Sequence, residues 1–437
     1  MNIFIHTNDL RIHDNSTLNI MYKTINEPII PIYILSSKHS NNYTHFLSES
    51  LNELKLEYEK YNSTLHIYFG KINNILEKIH KKINIKNLGF NYNYSKINNT
   101  ITRFCKNNNI NLFNSEDSLL VNIVNNKNYP NKCPYKKFTP FLLYQKSNFK
   151  VNKPLTLNIK FTKLNYNIKE EIQKINYNPN PNLHFIPGRK EGIKLLNNIS
   201  KNYSNNRDCL HLNTSNLSAY INIGLLSIRE VYYTSKKKIK NDDYINELYW
   251  RDFYYNILHH YPKKSKYDNI KWENNNKNFK LWCNGKTGFP IVDASMRQLN
   301  KTGYMHNRGR MIVASFLIKD LFIDWKLGEK YFSKKLVDYN KAANNGGWQW
   351  ISGTGIDSQP YFHVFNPWRQ IEKYDPNCIY IKRWIPELRM IPNYKIKKWY
   401  KYYCKDISYP KPIIKHNTKQ TIKKYKKYLH IRTNTPE

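Results

Sequence analysis

Residues 342–350, AANNGGWQW, hold the densest group of chemically useful side chains in this sequence. Glycine is scarce, with 14 in 437 residues, so the adjacent pair Gly346 and Gly347 is unusual. Glycine lets a backbone turn sharply and approach a neighbour closely. Asparagine amides both donate and accept hydrogen bonds, and indole rings are easily oxidised. The stretch therefore predicts a surface against which another group packs closely.

A second group of polar and aromatic residues lies in residues 241–261, NDDYINELYWRDFYYNILHHY. Apolar residues recur there at intervals of three and four, which predicts a helix that begins at an Asn or Asp cap. On that helix Glu247, Trp250, Arg251 and Tyr254 share one face. The alternative for the charged pair is a solvated ion pair on a helix surface.

A hydroxyl-rich turn, TSNLS, occupies residues 214–218 ahead of a predicted helix. Backbone N–H groups at the N-terminus of a helix suit a pyrophosphate. The alternative is that the Ser and Thr side chains only cap the helix.

The chain is strongly basic, with 70 Lys and Arg against 32 Asp and Glu and a formal net charge of +38. Such a surplus is typical of proteins that bind a polyanion, and nucleic acid is the first candidate. Lys, Asn, Ile and Tyr are all abundant, so coding drift in an AT-rich genome is the alternative source of the charge. The charge permits a nucleic-acid partner without establishing one.

Six cysteines are scattered through the chain, without a CxxC pair or a Cys/His cluster at metal spacing. This arrangement predicts reduced thiols, no metal site and a cytoplasmic setting. The N-terminal residues become charged too soon for a signal peptide, and no apolar run approaches the ~20 residues of a membrane span. We expect an intracellular protein that does not associate with a membrane.

The first part of the chain alternates short apolar runs with helical patterns. This alternation predicts βαβ units around a doubly wound parallel sheet. The apolar runs are residues 2–7, 28–35, 64–70 and 87–93. No GxGxxG motif follows the first of them, so the usual dinucleotide fingerprint is absent.

The division into regions follows composition, because all nine tryptophans lie at or beyond Trp250. We predict an α/β domain at 1–128, an irregular inter-domain linker at 129–187 and a mostly α-helical domain at 188–437. The proline and asparagine of the middle segment favour a long connection over a domain of its own.

Several ordered motifs resemble the DNA photolyase and cryptochrome family, most closely the bacterial class I photolyases that repair cyclobutane pyrimidine dimers. The motifs span residues 203–388, and HTNDLRIHDN near the N-terminus fits the family's opening strand and loop more loosely. The resemblance implies light-driven repair, with excited reduced FAD passing an electron to a flipped-out dimer. The motifs are NELYWRDFY (246–254), TGFPIVDASMRQLNKTGYMHNRGRM (287–311), AANNGGWQW (342–350), PYFHVFNP (360–367) and KRWIPEL (382–388).

The resemblance implies that FAD is held by the helical domain, with Asn344 beside flavin N5. Arg310 and Asp338 would lie beside the ring as a pair, with an ordinary buried ion pair as the alternative. Asn216 replaces an arginine of many relatives, and Asn340 replaces an aspartate. The residues that would bind FAD are Tyr203, Thr214, Ser215, Asn216, Leu217, Ser218, Tyr244, Arg310, Asp338, Tyr339 and Asn340.

The resemblance also implies an electron-hopping chain of Trp348, Trp325 and Trp272; on residue types alone these would be core aromatics. For repair, Glu247 would hydrogen-bond the bases of the dimer, with Trp250 and Trp350 as stacking walls. Met311 would supply an adaptable contact. We assign Glu247, Asn344, Met311 and Trp350 to catalysis. The residues that would contact DNA are Arg207, Glu247, Leu248, Tyr249, Trp250, Arg251, Asp252, Phe253, Tyr254, Asn307, Arg308 and Gln370.

Members of the family differ in chemistry. Photolyases of six-four photoproducts use a second histidine as an acid where this chain has Met311, and a thioether cannot donate a proton. We therefore expect a monomeric photolyase of pyrimidine dimers in single- or double-stranded DNA, found with the nucleoid in the cytoplasm. The alternatives are a blue-light-sensing cryptochrome and a basic DNA-binding protein with a decayed flavin site.

An antenna chromophore, 5,10-methenyltetrahydrofolate, is a further possibility that the resemblance raises. The matching stretch is NYNYSKINNTI (91–101). Asn98 stands there where folate-binding relatives have glutamate, and Asn8 replaces the arginine of the family's FRxDLR opening. His363 replaces the arginine of PYFRxFNP.

Overall fold

The computed structural model describes residues 1–36, 39–124, 135–156, 159–163, 175–262, 270–356 and 364–424. The chain forms two compact units. Unit 1 contains Met1–Pro181, Phe185–Lys201 and Ser215–His260. Unit 2 contains Asn182–His184, Asn202–Thr214 and Tyr261–Glu437.

Unit 1 is built on a parallel sheet in the order β3-β2-β1-β4-β5. The chain leaves β1 toward β2 and β3, then crosses to the other side for β4 and β5. This order confirms the doubly wound α/β prediction. All four predicted apolar runs form strands, and the less apolar β5 was missed. The strands are β1 (Asn2–His6), β2 (Ile30–Leu35), β3 (His66–Phe69), β4 (Asn87–Tyr92) and β5 (Asn111–Glu116).

Helices follow the strands and fill the rest of the described chain. In chain order they are α1 (Ser16–Ile25), α2 (Asn41–Glu59), α3 (Ile72–Ile83), α4 (Lys96–Asn107), α5 (Phe138–Asn148), α6 (Arg189–Asn197), α7 (Tyr203–Asn206), α8 (Ser218–Asn222), α9 (Ile228–Lys238), α10 (Asp243–His260), α11 (Asn276–Cys283), α12 (Pro290–Thr302), α13 (Asn307–Ser315), α14 (Trp325–Lys335), α15 (Lys341–Ser352), α16 (Pro367–Tyr374), α17 (Ile379–Trp384), α18 (Asn393–Lys397) and α19 (Trp399–Tyr402). A π-helix, Phe316–Asp320, and a 3-10 turn, Pro386–Leu388, complete the set.

Helices α8 to α10 belong to the same compact unit as the sheet, although they follow the predicted domain boundary at residue 188. A buried charge cluster holds α9 in this unit. Arg229 of α9 donates to both carboxylate oxygens of Asp14 at 2.9 and 3.0 Å and to Asp117 at 2.7 Å. Arg11 is paired with Asp117 as well. Removing one member would leave a buried charge uncompensated.

The predicted linker 129–187 contains ordered structure, since α5 lies within it and packs against α10. Residues 125–134, 157–158 and 164–174 lie outside the described residues. Among the described residues, no helix combines the length and apolar character that crossing a membrane requires.

Unit 2 is helical around one apolar core, in which Trp282, Phe316 and Trp399 are fully buried. The predicted helix at 305–325 is present as α13 followed by the π-helix. AANNGGWQW lies within α15, so the expectation of a sharp glycine turn is wrong. Asn340 caps α15 by accepting the N–H of Ala343 at 3.0 Å, and the helix continues through both glycines.

Candidate functional site

Helix α10 presents the polar and aromatic face that its spacing predicted. Glu247, Trp250, Arg251 and Tyr254 are half-buried. The intervening residues point into unit 1 and are at most 4% exposed. Their burial corrects the prediction that they contact DNA, because a contact would require the helix to leave its core. The buried residues are Leu248, Tyr249, Asp252 and Phe253.

Arg251 also differs from its predicted role as a DNA contact. Its Nη1 donates to the backbone oxygen of Ser118, and its guanidinium lies 5.0 Å from the ring centre of Tyr255. Its Nη1 also lies 3.8 Å from Oδ1 of Asp252, the next residue of α10. The side chain lines a small polar crevice in unit 1.

This crevice lies at the carboxyl ends of β1 and β4, where the strand order reverses. Open α/β sheets bind ligands at such switch points. Asn91, Tyr92 and Asn93 of the predicted antenna stretch line it, together with Asn8. Asn98 instead accepts the backbone N–H of Asn93 at 3.3 Å and is buried. It therefore stabilises the loop and is not part of the crevice wall.

Asp252 holds a segment of unit 1 against α10. Its Oδ2 accepts the backbone N–H groups of Leu120 and Val121 at 2.8 and 3.4 Å, while its Oδ1 has no hydrogen-bond partner. Burial raises the pKa of Asp252 to about 7, against the opposing effect of the Arg251 guanidinium and the two N–H groups. The carboxyl is therefore poised to titrate near neutral pH.

Five of the predicted FAD-binding residues belong to unit 1. Leu217 is the N-cap of α8 and has no side-chain cap bond, so the plain capping alternative for the TSNLS segment does not hold. Asn216 adopts a left-handed backbone with φ of 52°, which asparagine tolerates better than arginine. Burial raises the pKa of Tyr244 to about 12, and the hydroxyl also interacts with Ser215. The five residues are Ser215, Asn216, Leu217, Ser218 and Tyr244.

Unit 2 holds the predicted pair Arg310 and Asp338. Arg310 Nη2 donates to the two carboxylate oxygens at 3.1 and 2.8 Å, and its Nε donates to the backbone oxygen of Met305 at 2.8 Å. The Asp338 side chain is 2% exposed and that of Arg310 25%. Arg310 and Asp338 therefore form an ion pair, which was the alternative to a cofactor contact. The Arg310 guanidinium is still accessible to a ligand.

Asn344 is oriented by a residue that the sequence analysis missed. Its Nδ2 donates to Oε1 of Glu329 at 3.1 Å, and Tyr339 donates its hydroxyl to the same oxygen at 3.0 Å. The amide nitrogen is thereby engaged, which leaves the carbonyl oxygen Oδ1 free to accept from a ligand. Glu329 lies in α14, and no local motif marks it; only the packing of α14 on α15 reveals it.

The glycines of α15 and α14 have different surroundings. A Cβ at Gly347 would meet no atom within 4 Å, so the helix borders open space one turn from Asn344. A Cβ at Gly328 would lie 2.3 Å from Cη2 of Trp348. The open space beside Gly347, with the amide of Asn344 facing it at helical spacing, fits a flat polar ring such as the isoalloxazine of FAD.

The three predicted electron carriers are placed differently from one another. Trp348 is 3% exposed and Trp325 4%, whereas Trp272 is half-buried. Trp348 has ring contacts with Trp282 and Phe332, at centroid distances of 6.3 and 5.1 Å. Among the described residues no ring contact joins Trp325 to another aromatic side chain. The hopping chain stays a prediction.

The residues predicted to meet the lesion and DNA from unit 2 are accessible. Asn307 is exposed, whereas Arg207, Met311, Trp350 and Gln370 are half-buried. Arg308 donates to Asp208 at 2.5 and 3.2 Å, and its Nη1 lies 3.7 Å from the sulfur of Met311. His363 lies outside the described residues.

His306 precedes this group and caps α13. Its Nδ1 accepts the backbone N–H of Arg308 at 3.1 Å, and Nε2 is buried without a hydrogen-bond partner. Burial, with the nearby charges of Arg310 and Arg308, lowers the pKa of His306 to about 4. The ring is therefore neutral at physiological pH, with its proton on Nε2.

Comparisons with known proteins cover most of the chain. The family model for DNA photolyase matches residues 2–156, and the model for the FAD binding domain of DNA photolyase matches residues 244–427. A deoxyribodipyrimidine photo-lyase of Buchnera aphidicola from Acyrthosiphon pisum is 34% identical over 459 residues, covering 95% of this chain and 94% of the relative.

Two solved structures extend the comparison to the fold. An archaeal photolyase from Sulfolobus tokodaii, described with two FAD molecules, has a TM-score of 0.85 at 35% identity, covering 98% of this chain and 100% of the other. A class III photolyase from Agrobacterium tumefaciens has a TM-score of 0.88 at 29% identity, covering 99% and 98%. Both agree with an α/β region followed by a helical one.

Proposed function

Because the chain belongs to the DNA photolyase and cryptochrome family, we propose that it repairs cyclobutane pyrimidine dimers in DNA with light. It is an enzyme of the photolyase class, and FAD is its cofactor. When bound and reduced, FAD supplies the electron that splits the cyclobutane ring, and the electron returns after cleavage. The remaining steps fall to side chains of this chain.

The observation that carries the proposal is the face of α10. Glu247 and Trp250 lie one turn apart on the half-buried side of the helix. A flipped base needs an aromatic surface for stacking and a polar group for its base edge. The carboxylate of Glu247 accepts the N–H groups of the pyrimidines, and the Trp250 indole stacks on one of them.

The cofactor contacts follow from the groups described in each unit. In unit 1 the backbone around Ser215 and Ser218 suits the pyrophosphate. In unit 2 the guanidinium of Arg310 faces the negative charge of reduced flavin, and the Asn344 carbonyl accepts from the ring edge. Asn340 performs the capping that an aspartate would perform, since both side chains cap helices well.

The residues around Met311 support the choice of pyrimidine dimers as the lesion. Six-four repair requires an acid there, and Met311 has no proton to give. His306 cannot replace it, because its pKa of about 4 keeps the ring neutral and its Nδ1 is engaged by the backbone. Dimer cleavage needs no general acid, so this chemistry matches the residues present.

The direct test is repair by the purified FAD-loaded protein. Duplex DNA with one thymine dimer is mixed with the reduced protein, and thymine ultraviolet absorbance is followed under blue light and in the dark. Recovery only in the light supports the proposal. A flavin-loaded protein that photoreduces yet leaves the dimer intact would point to a light sensor. A flavin-free protein that still binds DNA would point to a decayed site.

An antenna chromophore is a second proposal, carried by the crevice in unit 1. It lies at the switch point of the sheet, where open α/β sheets bind ligands, and its lining includes Asn91, Tyr92 and Asn93 of the stretch that resembles the antenna segment. An absorption spectrum of the protein as isolated tests this, since a bound pterin adds a near-ultraviolet band to those of the flavin.

A further inference from the structure

The indole of Trp250 is covered on one face by a residue that no motif singled out. Phe138, the first residue of α5, lies with its ring centroid 3.6 Å from that of Trp250 at an interplanar angle of 8°. This separation is the van der Waals contact distance between two stacked rings, so no other group can lie on that face of the indole. Parallel, fully overlapping rings are less favoured than offset or edge-on pairs, so surrounding packing must hold this one.

That packing is visible within unit 1. Phe253 makes edge-to-face contacts with Phe138 and Trp250, at ring-centroid distances of 5.9 and 5.7 Å. Phe141 of α5 makes the same kind of contact with Phe253, at a centroid distance of 5.4 Å. Phe253 and Phe141 are at most 1% exposed. Phe138 therefore approaches Trp250 from the core side of α10.

The far end of α5 is attached to the same helix. Lys146 donates to Asp242 at 2.8 Å and to Asn246 at 3.0 Å, and its ammonium lies 5.9 Å from the ring centre of Tyr249. Contacts at both ends fix α5 along α10. Phe138 is thus held by the fold and is not a loose side chain resting on an exposed ring.

We propose that Phe138 is a positioning residue for lesion recognition, which fixes the plane of the Trp250 ring so that its opposite face receives the flipped pyrimidine. This inference rests on the proposed function, in which Trp250 is a stacking wall. Because Phe138 covers one face, the Tyr254 ring, whose centroid lies 5.8 Å from that of Trp250 at an interplanar angle of 30°, borders the other face. Base, indole and phenyl ring then form one continuous stack.

The energetic reason is pre-organisation. A base gains affinity by stacking on an aromatic side chain, but an unclamped indole must lose its rotamer freedom when the base arrives. Phe138 removes that cost before DNA binds. The clamp acts on the lesion and leaves intact duplex unaffected, because an unflipped base never reaches Trp250.

The test measures the affinity of the FAD-loaded protein for one duplex with and without a thymine dimer. Phe138→Leu removes the flat ring at similar volume and is expected to weaken dimer binding about 3- to 10-fold, with undamaged binding unchanged. Phe138→Tyr restores the ring and the affinity. Tyr144→Leu, which removes an α5 aromatic that contacts Tyr135 and Phe149, is the matched control and leaves discrimination unchanged.

A second arm uses Trp250→Leu, alone and combined with Phe138→Leu. If Phe138 acts through Trp250, its substitution has no further effect once the indole is gone. An effect that persists in the double variant, or equal losses for damaged and intact DNA, overturns the inference. Tighter dimer binding by Phe138→Leu also overturns it, because Phe138 would then occupy the place of the base.

The two proposals fail in distinguishable ways. Trp250→Leu with undiminished dimer binding contradicts the role of Trp250 in the proposed function. Weaker binding by Trp250→Leu together with unchanged binding by Phe138→Leu leaves the proposed function standing and rejects the clamp.

Discussion

The amide of Asn344 and the carboxylate of Glu329 form a 3.1 Å hydrogen bond between helices α15 and α14. The bond selects one of the two orientations of the amide, because a carboxylate accepts and cannot donate. The polar end that Asn344 offers to a ligand is therefore its carbonyl oxygen. A residue of one helix thus decides the chemistry presented by another.

Glu329→Gln is expected to shorten the lifetime of the reduced, FAD-loaded protein in air. Glutamine can donate as well as accept a hydrogen bond, so the side-chain amide of Asn344 is no longer restricted to one orientation. A hydrogen bond to a charged group contributes ~1.5–3 kcal/mol, and at ~1.4 kcal/mol per factor of ten its loss corresponds to roughly 10- to 100-fold faster reoxidation. Flavin absorbance followed after admission of oxygen measures this.

The control is Tyr339→Phe, which removes the other donor to Glu329 at 3.0 Å and leaves the Asn344 bond in place. Its effect should be the smaller of the two. Equal reoxidation rates for Glu329→Gln and the unchanged protein would show that the carboxylate does not orient the amide.

Gly328→Ala is expected to destabilise unit 2 by about 1–3 kcal/mol. The added methyl would lie 2.3 Å from Cη2 of Trp348 and 2.6 Å from Cδ2 of Leu317, so the indole must move. Thermal unfolding and near-ultraviolet circular dichroism, both without FAD, report the stability and the tryptophan environment.

Gly347→Ala is the matched substitution, because its methyl meets no atom within 4 Å. Alanine favours a helix over glycine by ~1 kcal/mol, so the flavin-free protein should be as stable or more so, while FAD retention falls. An alanine that leaves FAD retention intact would mean that the open side of α15 does not face the cofactor.

The stability of the fold should decline as pH rises through about 7, in part because of Asp252. Its folded-state pKa of about 7 lies above its ordinary value of 3.8, so the folded protein keeps a proton that the unfolded chain has lost. The protonated form therefore supports the fold at acid pH, and this contribution is lost as pH rises.

In the Asp252→Asn variant the free energy of unfolding should fall by ~2–3 kcal/mol less between about pH 5 and about pH 8 than in the unchanged protein. Urea unfolding at several pH values measures the slope. Asp242→Asn is the control, since Asp242 is 62% exposed and should leave the slope as it is. A variant at position 252 with an unchanged slope would assign the pH dependence to other groups.

Arg251→Gln should leave the salt dependence of DNA binding unchanged. The guanidinium is engaged by the backbone oxygen of Ser118 and by the Tyr255 ring, so it neutralises no phosphate. Arg207→Gln should reduce the slope of log affinity against log salt by about 0.9. Equal reductions for the two variants would place Arg251 at the DNA after all.

The fold class follows from the sequence because it depends on local pattern. Apolar runs of four to eight residues between helical patterns predict a parallel sheet, and the Ile-rich strands β1 and β2 satisfy that pattern directly. The less apolar β5 escapes it. The extent of unit 1 escaped it too, because α9 joins that unit through Arg229, which pairs with Asp14 and Asp117 more than 100 residues away in sequence.

The sequence by itself determined the family, the face of α10 and the chemical types at the site, since each depends on residue order or helical spacing. Only the tertiary structure decided which of those side chains are free to act. It turned Arg251 inward, buried Leu248 and Asp252, and brought Glu329 to Asn344 and Phe138 to Trp250. These pairings join separate segments of the chain, and packing between segments leaves no periodic signal in any one of them.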